Sequence, residues 1–176
     1  TADFVPGVDP TIQGGDYWNF LGAVRAVKAT KNVLDAKNGT HTDFLLTEAY
    51  ACTYPNSWWE DTHRHAAENV LLSCALARAE GVDSVYWYMP HDGIQDDRDA
   101  GMRLDMADSV AREYHFGLLN GDNSIKPAML ALAMASAHLG DATFVKSVTK
   151  GTTHALVFKT PRGLMQVMWD RTDGYL

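Results

Sequence analysis

A single glutamate, Glu48, lies where a catalytic carboxylate would be expected. Residues 43–47 form a short apolar run, a pattern that predicts a strand buried on both faces, and Glu48 follows it directly. A carboxylate on a rigid strand end can act as a nucleophile. The alternative is structural, because a glutamate at this point could equally form a salt bridge or cap the next helix.

Aromatic residues on both sides of Glu48 favour the chemical role over the structural one. Flat apolar rings beside a carboxylate match a pyranose, whose flat face is surrounded by hydroxyl groups. Polar loop residues could bind those hydroxyl groups. Alternation along a strand sends about half of its side chains into packing, so each ring also has a structural interpretation. The candidate sugar contacts are Trp87, Tyr88, Tyr54, Trp58, Trp59, His91 and Asp92.

The sequence predicts neither a metal site nor a cofactor. The acidic cluster Asp92, Asp96, Asp97 and Asp99 lacks the spacing of a calcium-binding EF-hand loop and indicates a solvated loop. No set of histidines and cysteines has metal-ligand spacing. The sequence also contains no glycine-rich phosphate loop, no Gly-x-Ser-x-Gly elbow and no Cys-x-x-Cys pair.

The elements that would position Glu48 are predicted to form part of a parallel α/β sheet. After a truncated strand near residues 2–5, the expected order is a helix at 17–37, a strand at 43–47, a helix at 63–80 and a strand at 83–89. Consecutive strands joined by a helix form a right-handed βαβ unit with parallel neighbours. Glu48 and Trp87 are therefore expected on the same rim of the sheet.

The rest of the chain is predicted to contain a long loop, a helix and a small antiparallel sheet. The connection 90–124 is long enough to border a functional cleft. A helix is expected over 124–138, with Leu130, Met134 and Ala137 facing inward. Three β-rich runs, at 143–148, 154–159 and 164–169, have the spacing that predicts an antiparallel meander.

Composition and charge indicate a globular protein and argue against two classes of partner. The 176 residues are 46% hydrophobic and 21% charged. The net charge is -7 and the basic residues are spread along one helix without interleaved aromatics, so no nucleic acid is expected. No apolar run approaches the roughly 20 residues that span a bilayer, so no membrane is expected. Cys52 and Cys74 form either one disulfide or two packed thiols.

Several short segments together resemble the last quarter of a clan A glycoside hydrolase (β/α)8 barrel. They are 45–49 (LLTEA), 64–72 (RHAAENVLL), 82–88 (VDSVYWY), 116–120 (FGLLN) and 126–128 (KPA). The sequence is similar in particular to barrel hydrolases that carry a small β-sandwich after the barrel. The resemblance implies an α/β fold in which residues 1–140 supply about three barrel strands with their helices. Residues 141–176 would begin the β-sandwich.

The resemblance also implies roles for individual residues. In that clan the glutamate that ends strand seven is the nucleophile of a retaining mechanism, which matches Glu48. An aromatic residue at the end of strand eight forms a sugar platform, which matches Trp87, with Tyr88 as its substitute. The general acid/base follows an asparagine at the end of strand four, whereas here Glu68 precedes Asn69 inside a predicted helix.

A complete barrel takes about 250 residues, so the chain is expected to be a piece of a longer polypeptide or to pair with a second chain. Two functions remain open. The first is a portion of a secreted or extracellular retaining glycoside hydrolase that acts on poly- or oligosaccharides. The second is a non-catalytic carbohydrate-binding or structural module derived from a hydrolase barrel, for example in an extracellular or virion-associated assembly.

Overall fold

The computed structural model describes residues 16–50, 52–53, 62–93 and 114–170. Within these residues the fold is mixed α/β, as the sequence predicted. The elements in chain order are α1 (Asp16–Asn38), β1 (Leu45–Tyr50), α2 (Thr62–Glu80), β2 (Ser84–Tyr88), α3 (Pro127–Leu139), β3 (Thr143–Lys150), β4 (Thr153–Thr160) and β5 (Gly163–Asp170). The strand predicted near residues 2–5 and most of the long connection lie outside the described residues.

β1 and β2 are parallel neighbours joined by α2, which confirms the predicted pairing. Leu46 pairs with Val85, and Ala49 pairs with Trp87. The register shifts between these pairs, so two residues of β1 face one residue of β2. β1 therefore continues through Glu48 to Tyr50 instead of ending before it, as the apolar run had predicted.

The two long helices begin and end close to their predicted positions. α1 ends at Asn38 before Gly39, and α2 ends at Glu80 before Gly81. Both glycines have positive φ angles, 63° and 78°, the left-handed conformation that commonly ends a helix. Glu80 also joins the helices, because its carboxylate lies 2.7 Å from the guanidinium of Arg25.

The buried face of α3 differs from the prediction. Leu130 and Met134 were expected inside, but their side chains are 58% and 56% exposed, and Ala137 is exposed as well. The buried residues of this helix are Ala128, Ala131, Ala135 and Leu139. The helix is apolar on nearly every side, so its pattern does not select a face. Its small alanines instead pack with Ala66 and Val70 of α2.

The three C-terminal strands form the predicted antiparallel meander, in the order β3-β4-β5. β4 buries Leu156 and Phe158, which share one hydrophobic core with Leu76 of α2 and Leu139 of α3. The meander thus packs directly against the helices of the preceding βαβ unit. The domain boundary after residue 140 stays a prediction.

No helix in the described part of the chain is long and apolar enough to span a bilayer.

Candidate functional site

Glu48 lies near the carboxyl end of β1, in the short irregular stretch of that strand. Its side chain is exposed. Within the described residues it makes no hydrogen bond or ion pair, so the structural interpretation of Glu48 as a salt-bridge or capping residue finds no support there. A strand carboxylate that has no partner in the described part of the chain is available to a ligand.

The aromatic end of β2 lies on the same rim as Glu48, since the strands are parallel and Tyr50 pairs with Tyr88. Trp87 packs towards the helices, against the cluster that contains Ala66 and Val70. Its indole nitrogen is buried and has no hydrogen-bond partner among the described residues. The ring is therefore committed largely to packing.

Tyr88 offers the more accessible ring on this rim. Adjacent side chains on a strand point to opposite faces, and Tyr88 is 38% exposed. Its ring lies edge-on to Phe116, with ring centroids 6.2 Å apart. Of the two rings at this strand end, Tyr88 is the one whose geometry suits a sugar platform. Tyr54, Trp58 and Trp59 lie outside the described residues, so their roles stay predictions.

Asp92 is buried, with 8% of its surface exposed. Its Oδ1 accepts hydrogen bonds from Nζ of Lys126, 2.6 Å away, and from the backbone N–H of Gly117, 2.8 Å away. Its Oδ2 lies 4.0 Å from Nδ1 of His115. The Asp92 carboxylate is thus bonded to Lys126 and Gly117, and its predicted sugar contact stays a prediction that this burial does not favour.

His91 is exposed at the same rim. Its Nδ1 lies 2.9 Å from the backbone carbonyl of Asp92. A carbonyl oxygen only accepts hydrogen bonds, so Nδ1 carries the proton and Nε2 of the neutral ring is an acceptor. An acceptor of this kind suits a sugar hydroxyl group.

Lys126 is the residue of this region that sequence reasoning missed. Its side chain is fully buried at the residue that precedes α3. A lysine directly before Pro127 was the available signal, because a cation at a helix N-terminus opposes the helix dipole and needs another reason to be there.

Cys52 and Cys74 form no disulfide with each other, so the disulfide alternative is wrong. Burial raises the pKa of Cys74 to about 11, and the nearby indole N–H of Trp87 lowers it in part. The Cys74 thiol therefore stays protonated at neutral pH and packs as a small apolar group.

Metal-capable side chains come together at the other end of the strands. One ligand atom from each of His41, Asp43 and Asp83 lies within 4.8 Å of the others, and all three residues are exposed. Asp83 already accepts the backbone N–H of Phe44, 2.7 Å away. The cluster lies before β1 and β2, so it is separate from Glu48. Of the acidic loop considered for calcium, only Asp92 is described.

Comparison with known proteins gives a likeness of fold. No family model matches the sequence. No curated protein matches it either. Among solved structures, the chain is similar to a family 39 glycoside hydrolase from the gut symbiont Bacteroides cellulosilyticus WH2, with a TM-score of 0.59 and 20% sequence identity. The match covers 81% of this chain and 26% of that one, so the chain spans about a quarter of the neighbour's length. At this identity the likeness shows the fold alone.

Proposed function

We propose that this chain is the C-terminal part of a (β/α)8 glycoside hydrolase with a retaining mechanism, in which Glu48 is the nucleophile. The observation that carries the proposal is the exposed Glu48 carboxylate, which has no partner among the described residues and lies on the same rim of the parallel pair as the exposed ring of Tyr88. The fold likeness to a family 39 glycoside hydrolase over 81% of the chain supports it.

The chemistry follows from what a retaining reaction requires. It uses two carboxyl groups about 5 to 5.5 Å apart, one as the nucleophile and the other as the general acid/base. Glu48 attacks the anomeric carbon and forms a glycosyl-enzyme, while a protonated partner releases the leaving group and then activates the water that hydrolyses the intermediate. On this proposal the partner belongs to the part of the barrel that this sequence does not contain.

The remainder of the barrel is then the principal protein partner. Tyr86 and Leu45 on the two strands are 55% and 43% exposed, and Leu130 of α3 is 58% exposed. Large apolar side chains in such numbers usually mark a surface that another element covers. The 26% coverage of the structural neighbour favours the same polypeptide as the source of those elements.

Substrate recognition is assigned to the rim around Glu48. Tyr88 provides a flat ring for a sugar face and Nε2 of His91 an acceptor for a hydroxyl group. The connection 90–124 leaves β2 at this rim, where its residues 90–93 are described. The proposed setting is extracellular, where poly- and oligosaccharides occur.

A covalent trap tests this proposal. The polypeptide that contains the complete barrel is incubated with a panel of 2-deoxy-2-fluoro glycosides that carry a good leaving group, and the labelled peptides are sequenced. The fluorine slows breakdown of the glycosyl-enzyme, so a retaining enzyme accumulates the ester. We expect the sugar on Glu48.

A label on another carboxylate would contradict the assignment of Glu48. No label, combined with saturable oligosaccharide binding, would favour the non-catalytic carbohydrate-binding module instead.

A further inference from the structure

We propose that Lys126 is a positioning residue: through Asp92 and Thr53, it fixes His91 and residues 52–53 at the rim that holds Glu48. The inference rests on the proposed function for its catalytic consequence. Its structural part can be tested separately.

The ammonium group of Lys126 joins the loops that follow both parallel strands. Its side chain is 0% exposed. Nζ donates to Oδ1 of Asp92 in the loop after β2, at 2.6 Å, and to Oγ1 of Thr53 in the loop after β1, at 2.8 Å. Burying an ammonium group is costly unless it is paired and hydrogen-bonded. The two hydrogen bonds therefore fix Nζ in place and link Asp92 to Thr53.

A third segment, residues 115–119, is bonded to the same loops. Gly117 donates its backbone N–H to Oδ1 of Asp92 at 2.8 Å. The backbone N–H of Asp92 donates to the carbonyl of Leu119 at 2.9 Å, and that of Thr53 to the carbonyl of His115 at 3.0 Å. Lys126 thus lies where three connections meet.

His91 is the exposed residue that this network orients. Its neighbour Asp92 is held through both its side chain and its backbone N–H, and the Asp92 carbonyl accepts a hydrogen bond from Nδ1–H of His91. The imidazole is therefore held with Nε2 as an acceptor. In this proposal Asp92 acts on a sugar through His91.

The buried ion pair between Lys126 and Asp92 contributes more to the arrangement of the surrounding residues than to the stability of the fold. Desolvation offsets most of the attraction in a buried pair, and apolar residues of similar size often stabilise a fold equally well. What an apolar pair cannot do is bond Thr53, Gly117 and the loop of His91 in one arrangement. An apolar pair at positions 92 and 126 can therefore restore stability without restoring this arrangement, which distinguishes a positioning role from a structural one.

The experiment compares two variants of the complete polypeptide, Lys126→Met and the double variant Lys126→Met/Asp92→Leu. Lys159→Met, at an exposed lysine of β4, is the matched control. The single variant leaves the buried Asp92 carboxylate without the Lys126 ammonium group, so its melting temperature should fall. The double variant should recover most of that loss while its kcat on aryl glycosides stays lower by about 10²-fold, the cost of a misplaced site.

If activity returns together with the melting temperature in the double variant, Lys126 is only structural and the proposal is overturned. A second readout does not depend on hydrolysis. Backbone amide exchange at Gly117 and Thr53 should accelerate in the double variant, with α2 unchanged. Unchanged exchange at these two amides would also overturn the proposal.

Wild-type polypeptide that hydrolyses no glycoside would refute the proposed function alone. The exchange rates would then decide whether Lys126 fixes the loops.

Discussion

Ala49 of β1 lies opposite Trp87 of β2 in the parallel pair. Ala49 is 6% exposed, and Trp87 packs beside the helices on that face. Because adjacent side chains on a strand point to opposite faces, Tyr88, the next residue, is on the accessible face. The residue with the larger ring, which the sequence favoured as the platform, is thereby the one that the fold uses for packing.

Alanine substitutions at Trp87 and at Tyr88 should therefore have different effects on stability and on oligosaccharide binding. Trp87→Ala is expected to lower the free energy of unfolding by about 3 kcal/mol, because it empties space beside α2 and α3. Tyr88→Ala should change the free energy of unfolding less and weaken oligosaccharide binding more. Denaturant unfolding and calorimetric titration measure the two effects. Loss of binding in Trp87→Ala at unchanged stability would make Trp87 the platform.

Two glycines provide a matched test of the loop around Asp92. A Cβ at Gly117 would collide with the backbone of His91, Asp92 and Leu119, which cannot yield cheaply. A Cβ at Gly121 would meet the nearest backbone atom at 3.4 Å, close to ordinary contact. We expect Gly117→Ala to lower the melting temperature by several degrees and Gly121→Ala to leave it nearly unchanged. Equal effects would contradict the close packing of residues 91–92 against 117–119.

The order of elements could be predicted because it depends on local pattern. The helix expected over 63–80 is found as Thr62–Glu80, and the strand expected over 83–89 as Ser84–Tyr88. The strand that contains Glu48 was harder to bound. Its apolar run stops early, but hydrogen bonding to β2 resumes at Ala49 after the register shift, which no local pattern indicates.

The contacts of the candidate site could not be predicted, because they join distant residues. Lys126 and Asp92 are 34 residues apart, and Lys126 and Thr53 are 73 apart. Each residue alone is typical of a surface. The inner face of α3 was missed for a related reason, since Leu130 and Ala131 are equally compatible with a core until the distance to α2 is known.

The carboxyl group of Asp35 should titrate in an unusual range. Hydrogen bonds from Lys31 at 2.7 Å and Thr42 at 2.7 Å lower its pKa from 3.8 to about 2. Folding thus favours the ionised form. The resulting stabilisation is complete above the unfolded pKa and is lost as the pH falls from about 4 towards 2.

NMR titration measures the Asp35 pKa directly, and Thr42→Ala should raise it towards its ordinary value. Asp35→Asn should destabilise the protein at pH 7 and make little difference near pH 2. An Asp35 pKa at or above 3.8 in the folded protein would contradict this prediction.

Cys74 should react slowly with thiol reagents. With a pKa of about 11, about one thiol in a thousand is ionised at pH 8, roughly a hundredfold fewer than at the ordinary value of 9.0. Since the thiolate is the reactive form, the Cys52→Ala variant should be labelled about a hundredfold more slowly when folded than in urea. Similar rates in the two states would show that Cys74 is not buried as described.

The most direct test of the central claim measures hydrolysis of aryl glycosides with good and with poor leaving groups. It compares the complete polypeptide, its Glu48→Gln variant and the isolated 176-residue chain. Positioned proton transfer contributes about 10²–10⁴-fold. The proposed mechanism places the acid outside this chain, so the isolated chain should not hydrolyse the substrate with the poor leaving group. The account predicts that the complete polypeptide is active and that Glu48→Gln abolishes this activity; a Glu48→Gln variant that retains full activity would contradict it.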